Sequence, residues 1–240
     1  MGNEIRKRKI LIVDDQGLIL EGLIRVINRQ KDFEVCGTAG TLTAGREAAA
    51  LHKPDLVLVD LLLPDGDGLE LIKHLVSEHP TLQILAVSQC DETLYAERAL
   101  KSGAHGYVMK NCVVSEIPKA IRTVLAGEVY VSPKVSARVL HRMVGTKSQG
   151  KKDGIANLTN REIQIFQLLG AGIESKDIAA RLHLSIKTVE THRENIKFKL
   201  KLSNATELIR HATSWVNSQG SANGDFAGGL KINVRETPSS

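Results

Sequence analysis

Five short apolar runs punctuate the first half of the chain, at Ile10 to Asp14, Phe33 to Gly37, Leu56 to Asp60, Gln83 to Ser88 and Gly106 to Lys110. Each is followed by a segment with helical spacing: Leu20, Leu23, Ile24 and Ile27 share one face of the first, and Leu69, Ile72, Leu75 and Val76 share one face of the third. Runs this uniformly apolar predict strands covered on both sides. Alternating with helices, they predict five βα units and hence an α/β domain with a doubly wound parallel sheet joined by right-handed crossovers.

From residue 127 the texture changes. Gly127-Glu128-Val129-Tyr130-Val131-Ser132-Pro133 leads into a short predicted helix carrying Val135, Val139, Leu140 and Met143, and Gly145 to Gly154 is polar and lysine-rich, the composition of a flexible tether. Beyond Leu158 the spacing is purely helical. Thr159 and Glu162 stand at capping-box distance, with Leu158 and Ile163 placed as a hydrophobic staple, and the stripe Ile165, Leu168, Leu169 ends at Gly170 and Gly172. A second short helix follows Ser175 with Ile178, Ala179 and Leu182 inward. After the turn His183-Leu184 a third begins at a Ser185 cap and buries Val189, Ile196 and Leu200. Asn204 caps a fourth, with Glu207 at capping-box distance and Leu208, Ala212 and Trp215 on one face. The expected organisation is an α/β domain over 1–126, a linker with a short helix over 127–154, an all-α four-helix domain over 155–216, and a disordered tail over 217–240, which lacks periodicity and large apolar residues.

Charge divides along the same boundary. Residues 1–126 carry 15 Lys and Arg against 17 Asp and Glu, whereas 151–216 carry 11 against 7. The basic excess points to a nucleic-acid partner for the second half, or to a merely solvated basic face. Cys36, Cys90 and Cys112 are far apart and make no CxxC spacing, which predicts free thiols in a reducing compartment. No apolar stretch is long enough to span a membrane and the basic N-terminus leads straight into a strand, so the expectation is a cytoplasmic protein with no membrane partner.

In parallel sheets of this kind the ligand site lies beyond the carboxyl ends of the strands. Asp14 and Asp15 follow the first strand, Asp60 the third, Ser88 the fourth and Lys110 the fifth. Three carboxylates gathered at buried strand ends are costly unless a cation sits among them. The chemistry that suits the set is phosphoryl transfer to a carboxylate: Asp60 as nucleophile forming an acyl phosphate, and magnesium held by Asp15 and Asp60 with Asp14 direct or through water. Lys110 and the Ser88 hydroxyl would meet phosphoryl oxygens. Gly66 and Gly68 would let the loop after Asp60 turn so that the Leu62 carbonyl approaches the metal. Taken singly these residues are commonplace as turn, cap and solvated groups; their joint occurrence at four strand ends gives the reading its weight.

Val13-Asp14-Asp15, Asp60 with Leu-Leu-Leu-Pro-Asp-Gly-Asp-Gly behind it, Ala86-Val87-Ser88 and Gly106-Tyr107-Val108-Met109-Lys110 resemble the receiver domain of two-component response regulators. The resemblance implies the strand order 2-1-3-4-5, phosphorylation on Asp60 by a sensor histidine kinase, and a switch in which Ser88 follows the phosphate while Tyr107 rotates inward; a hydroxyl fixed on the outside is the alternative for Tyr107. Asn111 stands where many receivers have proline, a departure that leaves the site intact. Leu62 and Cys90, two positions beyond Asp60 and Ser88, offer nothing that orients an attacking water, which predicts a slowly hydrolysing acyl phosphate and no turnover enzyme. A phosphatase with an aspartyl nucleophile is the rival reading, and it needs an acid where Leu62 stands.

The stretch Leu158-Thr-Asn-Arg-Glu, then Lys176-Asp-Ile-Ala-Ala-Arg-Leu, then Ser185-Ile-Lys-Thr-Val-Glu-Thr-His-Arg is similar to the LuxR-type helix-turn-helix of the NarL/FixJ response regulators. A helix-turn-helix inserts its second helix into the major groove of double-stranded DNA. The resemblance turns Glu190, Thr191 and Glu194 toward the bases. Lys176, Lys187, Thr188, Arg193 and Lys197 are placed as phosphate contacts. Glutamates on such a helix are costly beside phosphates unless they accept from cytosine amino groups, and the alternative is that Glu190 pairs with a neighbouring Lys on the same helix. His192 is expected to be a packed group. The whole-chain expectation is a transcription regulator whose DNA-binding domain is released, and which becomes a homodimer on paired half-sites, when Asp60 is phosphorylated, with Leu208, Ala212 and Trp215 as dimerisation candidates. A DNA binder indifferent to phosphate is the competing version.

Overall fold

The computed structural model describes residues 6–144, 154–182 and 184–222. The chain divides into two compact units, with the boundary at Gly150.

In the first unit strands and helices alternate as β1 (Arg8–Val13), α1 (Gly17–Asn28), β2 (Phe33–Ala39), α2 (Leu42–His52), β3 (Leu56–Val59), α3 (Gly68–Glu78), β4 (Gln83–Ser88), α4 (Glu92–Lys101), β5 (Gly106–Met109) and α5 (Val113–Leu125). All five strands are parallel and lie in the order β2-β1-β3-β4-β5. The apolar runs form strands because each has a layer of helix on either side. Ile10, Ile12, Leu56 and Leu58 pack with Leu23 and Ile27 of α1 and with Ile117, Ala120, Ile121 and Val124 of α5. Alternation sends Leu11, Val13, Val57 and Val59 to the other face, and all are fully buried. There Gly45 of α2 stands against the side chains of Val13 and Leu71. The strands stop one residue before Asp14, Asp60 and Lys110, which leaves those residues at the carboxyl edge.

The loop after β3 folds into a small hairpin in which Leu62 pairs with Asp67 and Leu63 with Gly66. Its two other acids are helix caps. Asp65 accepts the backbone N–H groups of Leu42 and Thr43 at the start of α2, and Asp67 accepts that of Leu69 at the start of α3.

The predicted linker does not begin where α5 ends. After Gly127, whose φ of +84° makes the turn, Tyr130 forms a parallel bridge with Gly106 on the outer side of β5. Helix α6 (Pro133–Val144) then packs on α4 with Val135 buried, so this stretch belongs to the first unit. The tether expected over 145–154 lies outside the described residues except for Gly154, which opens a single 3-10 turn.

The second unit comprises α7 (Asn160–Gly170), α8 (Ser175–Arg181), α9 (Ile186–Leu200) and α10 (Ala205–Ala222). Thr159 and Glu162 form the predicted capping box, Ser185 caps α9 and Asn204 accepts from Glu207 N–H at the start of α10. Gly170 lies inside α7. A Cβ there would sit 2.5 Å from the Ala212 carbonyl oxygen, so the glycine allows α7 and α10 to approach closely. Two expectations are corrected. Helix α10 runs on to Ala222, so the first residues of the predicted disordered tail are helical, and 223–240 lie outside the described residues. Leu208, Ala212 and Trp215 do not face outward: they are buried, with Trp215 packed on Phe166 at 5.7 Å between ring centroids. A unit this small needs that stripe for its own core.

Candidate phosphoacceptor pocket and DNA-reading helix

At the carboxyl edge of the sheet the polar residues converge. Asp60 is 1% exposed and Asp14 2%, while Asp15 is exposed at the mouth; ligand oxygens of all three lie within 4.8 Å of one another. Lys110, itself buried, places its Nζ 2.6 Å from an Asp14 oxygen and 2.8 Å from Asp60 Oδ2. Asp14 also accepts the backbone N–H of Gln16, and Asp60 Oδ1 accepts that of Leu62 at 3.2 Å. Each buried carboxylate is therefore held by donors in a fixed direction. Burial nevertheless dominates at Asp60 and raises its pKa to about 6, with Lys110 opposing the shift and Asp14 adding to it.

The backbone beyond Asp60 is packed so tightly that position 68 tolerates no side chain. A Cβ on Gly68 would sit 2.2 Å from the Asp60 carbonyl oxygen and 2.6 Å from Leu61 Cα. The predicted need for glycine is thus met as a close approach, which lets α3 start directly behind Asp60.

Ser88, fully buried, accepts the Cys90 N–H on its Oγ at 3.3 Å. Tyr107 points inward: it is 3% exposed and its hydroxyl donates to the Cys90 carbonyl at 2.6 Å. The alternative of a hydroxyl fixed on the outside is not what is observed, and burial holds the phenol well above its usual range. Cys90 is 8% exposed with its thiol pushed up to about 12 by burial, so it is an inert wall. Sequence reasoning missed Tyr95, fully buried behind Cys90. Its signal was the one aromatic in its helix, a position before the buried Ala96.

In the second unit α8 and α9 meet as a helix-turn-helix. Lys176, Lys187, Thr191 and Glu194 are exposed and Thr188 half-buried. Several of the named residues have partners within the unit. Glu190 pairs with Arg193 at 2.9 Å, and Arg193 also donates to Ser175 Oγ at 2.7 Å, fastening α9 to the start of α8. Glu194 pairs with Lys197 at 2.9 Å, Thr191 donates to the Lys187 carbonyl, and the Thr188 hydroxyl shares a bond with Ser185. Glu190 pairs on its own helix, but with Arg193 where a lysine was expected. His192 is half-buried with its pKa lowered by burial, as a packed group would be. The contact that sequence reasoning missed is Lys199 to Glu162 at 2.7 Å, which ties α9 to the cap of α7.

Comparison with known proteins agrees with both halves. The model of the response regulator receiver domain matches residues 10–122, and that of bacterial regulatory proteins of the luxR family matches 156–212. The oxygen regulatory protein NreC of Staphylococcus carnosus is 33% identical over 208 residues, 85% of this chain and 96% of that protein. This chain is a two-component response regulator of the LuxR family. Among solved structures, a LuxR-family response regulator from Aurantimonas sp. SI85-9A1 superposes with a TM-score of 0.54 at 29% identity, covering 57% of this chain and 99% of that one. RcsB of Salmonella enterica serovar Typhimurium, bound to promoter rprA in the presence of the phosphomimetic BeF3−, shares the fold at a TM-score of 0.55 and 23% identity over 87% of this chain and 99% of its own. As a family member the chain joins a receiver to a DNA-binding domain and regulates transcription.

Proposed function

We propose that Asp60 is phosphorylated by the phosphohistidine of a sensor histidine kinase and that the acyl phosphate raises the affinity of the second unit for paired half-sites on double-stranded DNA by favouring a homodimer. The observation that carries this reading is the buried Asp60 carboxylate held between Lys110 and the Leu62 N–H with two more acids beside it. An Asp60 oxygen attacks phosphorus, the P–N bond to the donor imidazole breaks, and its electron pair stays on the imidazole nitrogen. Lys110 and the Ser88 hydroxyl then donate to phosphoryl oxygens.

The three carboxylates are hard oxygen donors of the kind magnesium takes, and Asp14, Asp15, Asp60 and the Leu62 carbonyl are the residues that would hold it. When bound, the ion neutralises charge on the phosphoryl oxygens. No acid or base stands at Leu62 or Cys90, so the protein takes part in its own phosphorylation without turning over a substrate. On DNA, Lys176, Lys187 and Thr188 contact phosphates, with Arg193 and Lys197 behind them, and Glu190, Thr191 and Glu194 face the bases. Three free cysteines and a DNA partner suit the cytoplasm.

The test is to incubate the full-length protein with acetyl phosphate and magnesium, follow phosphoryl uptake by intact mass, and measure affinity for duplexes selected from a random pool. Uptake on Asp60 that vanishes in Asp60→Asn, together with a donor-dependent rise in affinity, supports the reading. Equal affinity with and without donor would show that phosphate is dispensable for DNA binding.

A further inference from the structure

We infer that residues 128–132 form an output strap of the receiver, pinned to the switch residue Tyr107 through Tyr130, and that phosphorylation of Asp60 moves α6 by way of this pin. The inference rests on the phosphorylation reading above and names the element that reports it.

The pin is built from backbone. Tyr107 N–H donates to the Tyr130 carbonyl at 2.8 Å, and Tyr130 N–H donates to the His105 carbonyl at 3.1 Å. The two segments come so close that a Cβ on Gly106 would lie 2.7 Å from the Tyr130 carbonyl oxygen and 3.1 Å from Tyr130 Cβ. The Tyr130 side chain is anchored as well: its hydroxyl donates to the Glu116 carboxylate on α5, and its ring packs against the core under α1 and α5. Two residues further on, Ser132 starts α6, its carbonyl accepting Ser136 N–H at 3.0 Å and its hydroxyl Val135 N–H at 3.2 Å. The segment that continues through α6 toward the DNA-binding unit therefore starts from the backbone neighbour of Tyr107.

The other side of Tyr107 faces the phosphoacceptor pocket. Its hydroxyl holds the Cys90 carbonyl, and the Cys90 N–H holds Ser88 Oγ. A phosphoryl group that draws Ser88 toward Asp60 shifts the Cys90 peptide, and with it the acceptor of the Tyr107 hydroxyl. Every step from Ser88 to α6 is a directional hydrogen bond or a covalent one. A shift is passed on, or else it leaves a buried donor unsatisfied.

Two measurements on the full-length protein decide the matter. In the wild type, amide exchange is followed with and without beryllofluoride and magnesium. The Tyr107 and Tyr130 amides are expected to change protection together, and an unchanged Tyr130 beside a changed Ser88 to Cys90 loop overturns the strap. In the second, Gly106→Ala pushes a methyl group into the Tyr130 carbonyl, while Tyr130→Phe removes only the Glu116 bond. Both are expected to take up phosphoryl from acetyl phosphate as the wild type does. The wild-type ratio of DNA affinities with and without donor, of roughly 5–150-fold for an allosteric coupling of ordinary size, falls toward unity in Gly106→Ala and partway in Tyr130→Phe. A full ratio in Gly106→Ala sinks the strap alone; a wild type with no ratio sinks the phosphorylation reading beneath it.

Discussion

Lys110 Nζ stands 2.8 Å from Asp60, and because it also lies 2.6 Å from Asp14, one buried ammonium serves two buried carboxylates. Burial raises the Asp60 pKa to about 6 even with this cation in place. Lys110→Met removes the main opposing influence, so the carboxyl group titrates higher still and is mostly protonated near neutrality. Phosphoryl uptake from acetyl phosphate is then expected to fall at neutral pH and to recover partly as pH rises and the carboxyl group ionises. A variant with an unchanged pH profile would show that Lys110 does not hold the nucleophile ionised.

The same shift has a sign for stability. The Asp60 carboxyl has the ordinary aspartate pKa of 3.8 when unfolded and one of about 6 when folded, so between those values the folded state binds more protons. Its contribution is favourable at low pH and is lost as pH rises from about 4 to about 6. In chelator, Asp60→Asn is therefore expected to melt higher than the wild type at pH 7, with the gap closing toward pH 4. Magnesium is expected to restore the wild type at pH 7 and to do little for the variant. Thermal unfolding across that range checks both, and parallel melting curves for the two proteins would contradict the assignment.

Much of this was legible from the sequence because the sheet is covered on both faces. Such strands must be apolar throughout, and the first polar residue after each marks the carboxyl edge, which is how Asp14, Asp60 and Lys110 could be placed together. Tyr130 was not legible. One isolated bridge has no periodicity, and its signal is shared with Gly106, more than twenty residues away. The stripe Leu208, Ala212, Trp215 was visible as a stripe, but spacing says only that something covers it; Phe166 does, and the dimer face was misassigned for that reason. On α9 the exposed charges were legible, but not the i,i+3 partners, Arg193 and Lys197, that Glu190 and Glu194 hold in the free protein.

The walls of the pocket would set the lifetime of an acyl phosphate on Asp60. Leu62 and Cys90 are each 8% exposed, and the Cys90 thiol is neutral at any physiological pH. Neither can activate water. A half-life well beyond seconds is expected for the purified phosphoprotein, and Leu62→Glu, which puts an acceptor beside the phosphoryl group, is expected to shorten it. Decay within seconds in the wild type, measured by loss of phosphoryl mass, would mean that another group directs the water.

Glu162 carries two duties in the second unit. It is 2% exposed, accepts the Thr159 N–H at 2.7 Å as half of the capping box, and receives Lys199 on both carboxylate oxygens at 2.7 and 2.9 Å. Lys199 is about a third exposed, so solvent screens the pair, and the larger loss on truncation is the cap and the stranded donors. Glu162→Ala is expected to cost about 1–3 kcal/mol, whereas Glu162→Gln keeps an acceptor for Thr159 and should cost less. The pair also joins α7 to α9, so the alanine variant is expected to weaken binding to selected and to unselected duplexes alike, because the reading helix is less firmly placed. Thermal unfolding and DNA titrations of both variants separate the two duties. Equal melting temperatures for Glu162→Ala and the wild type would show that neither the cap nor the lysine stabilises this unit.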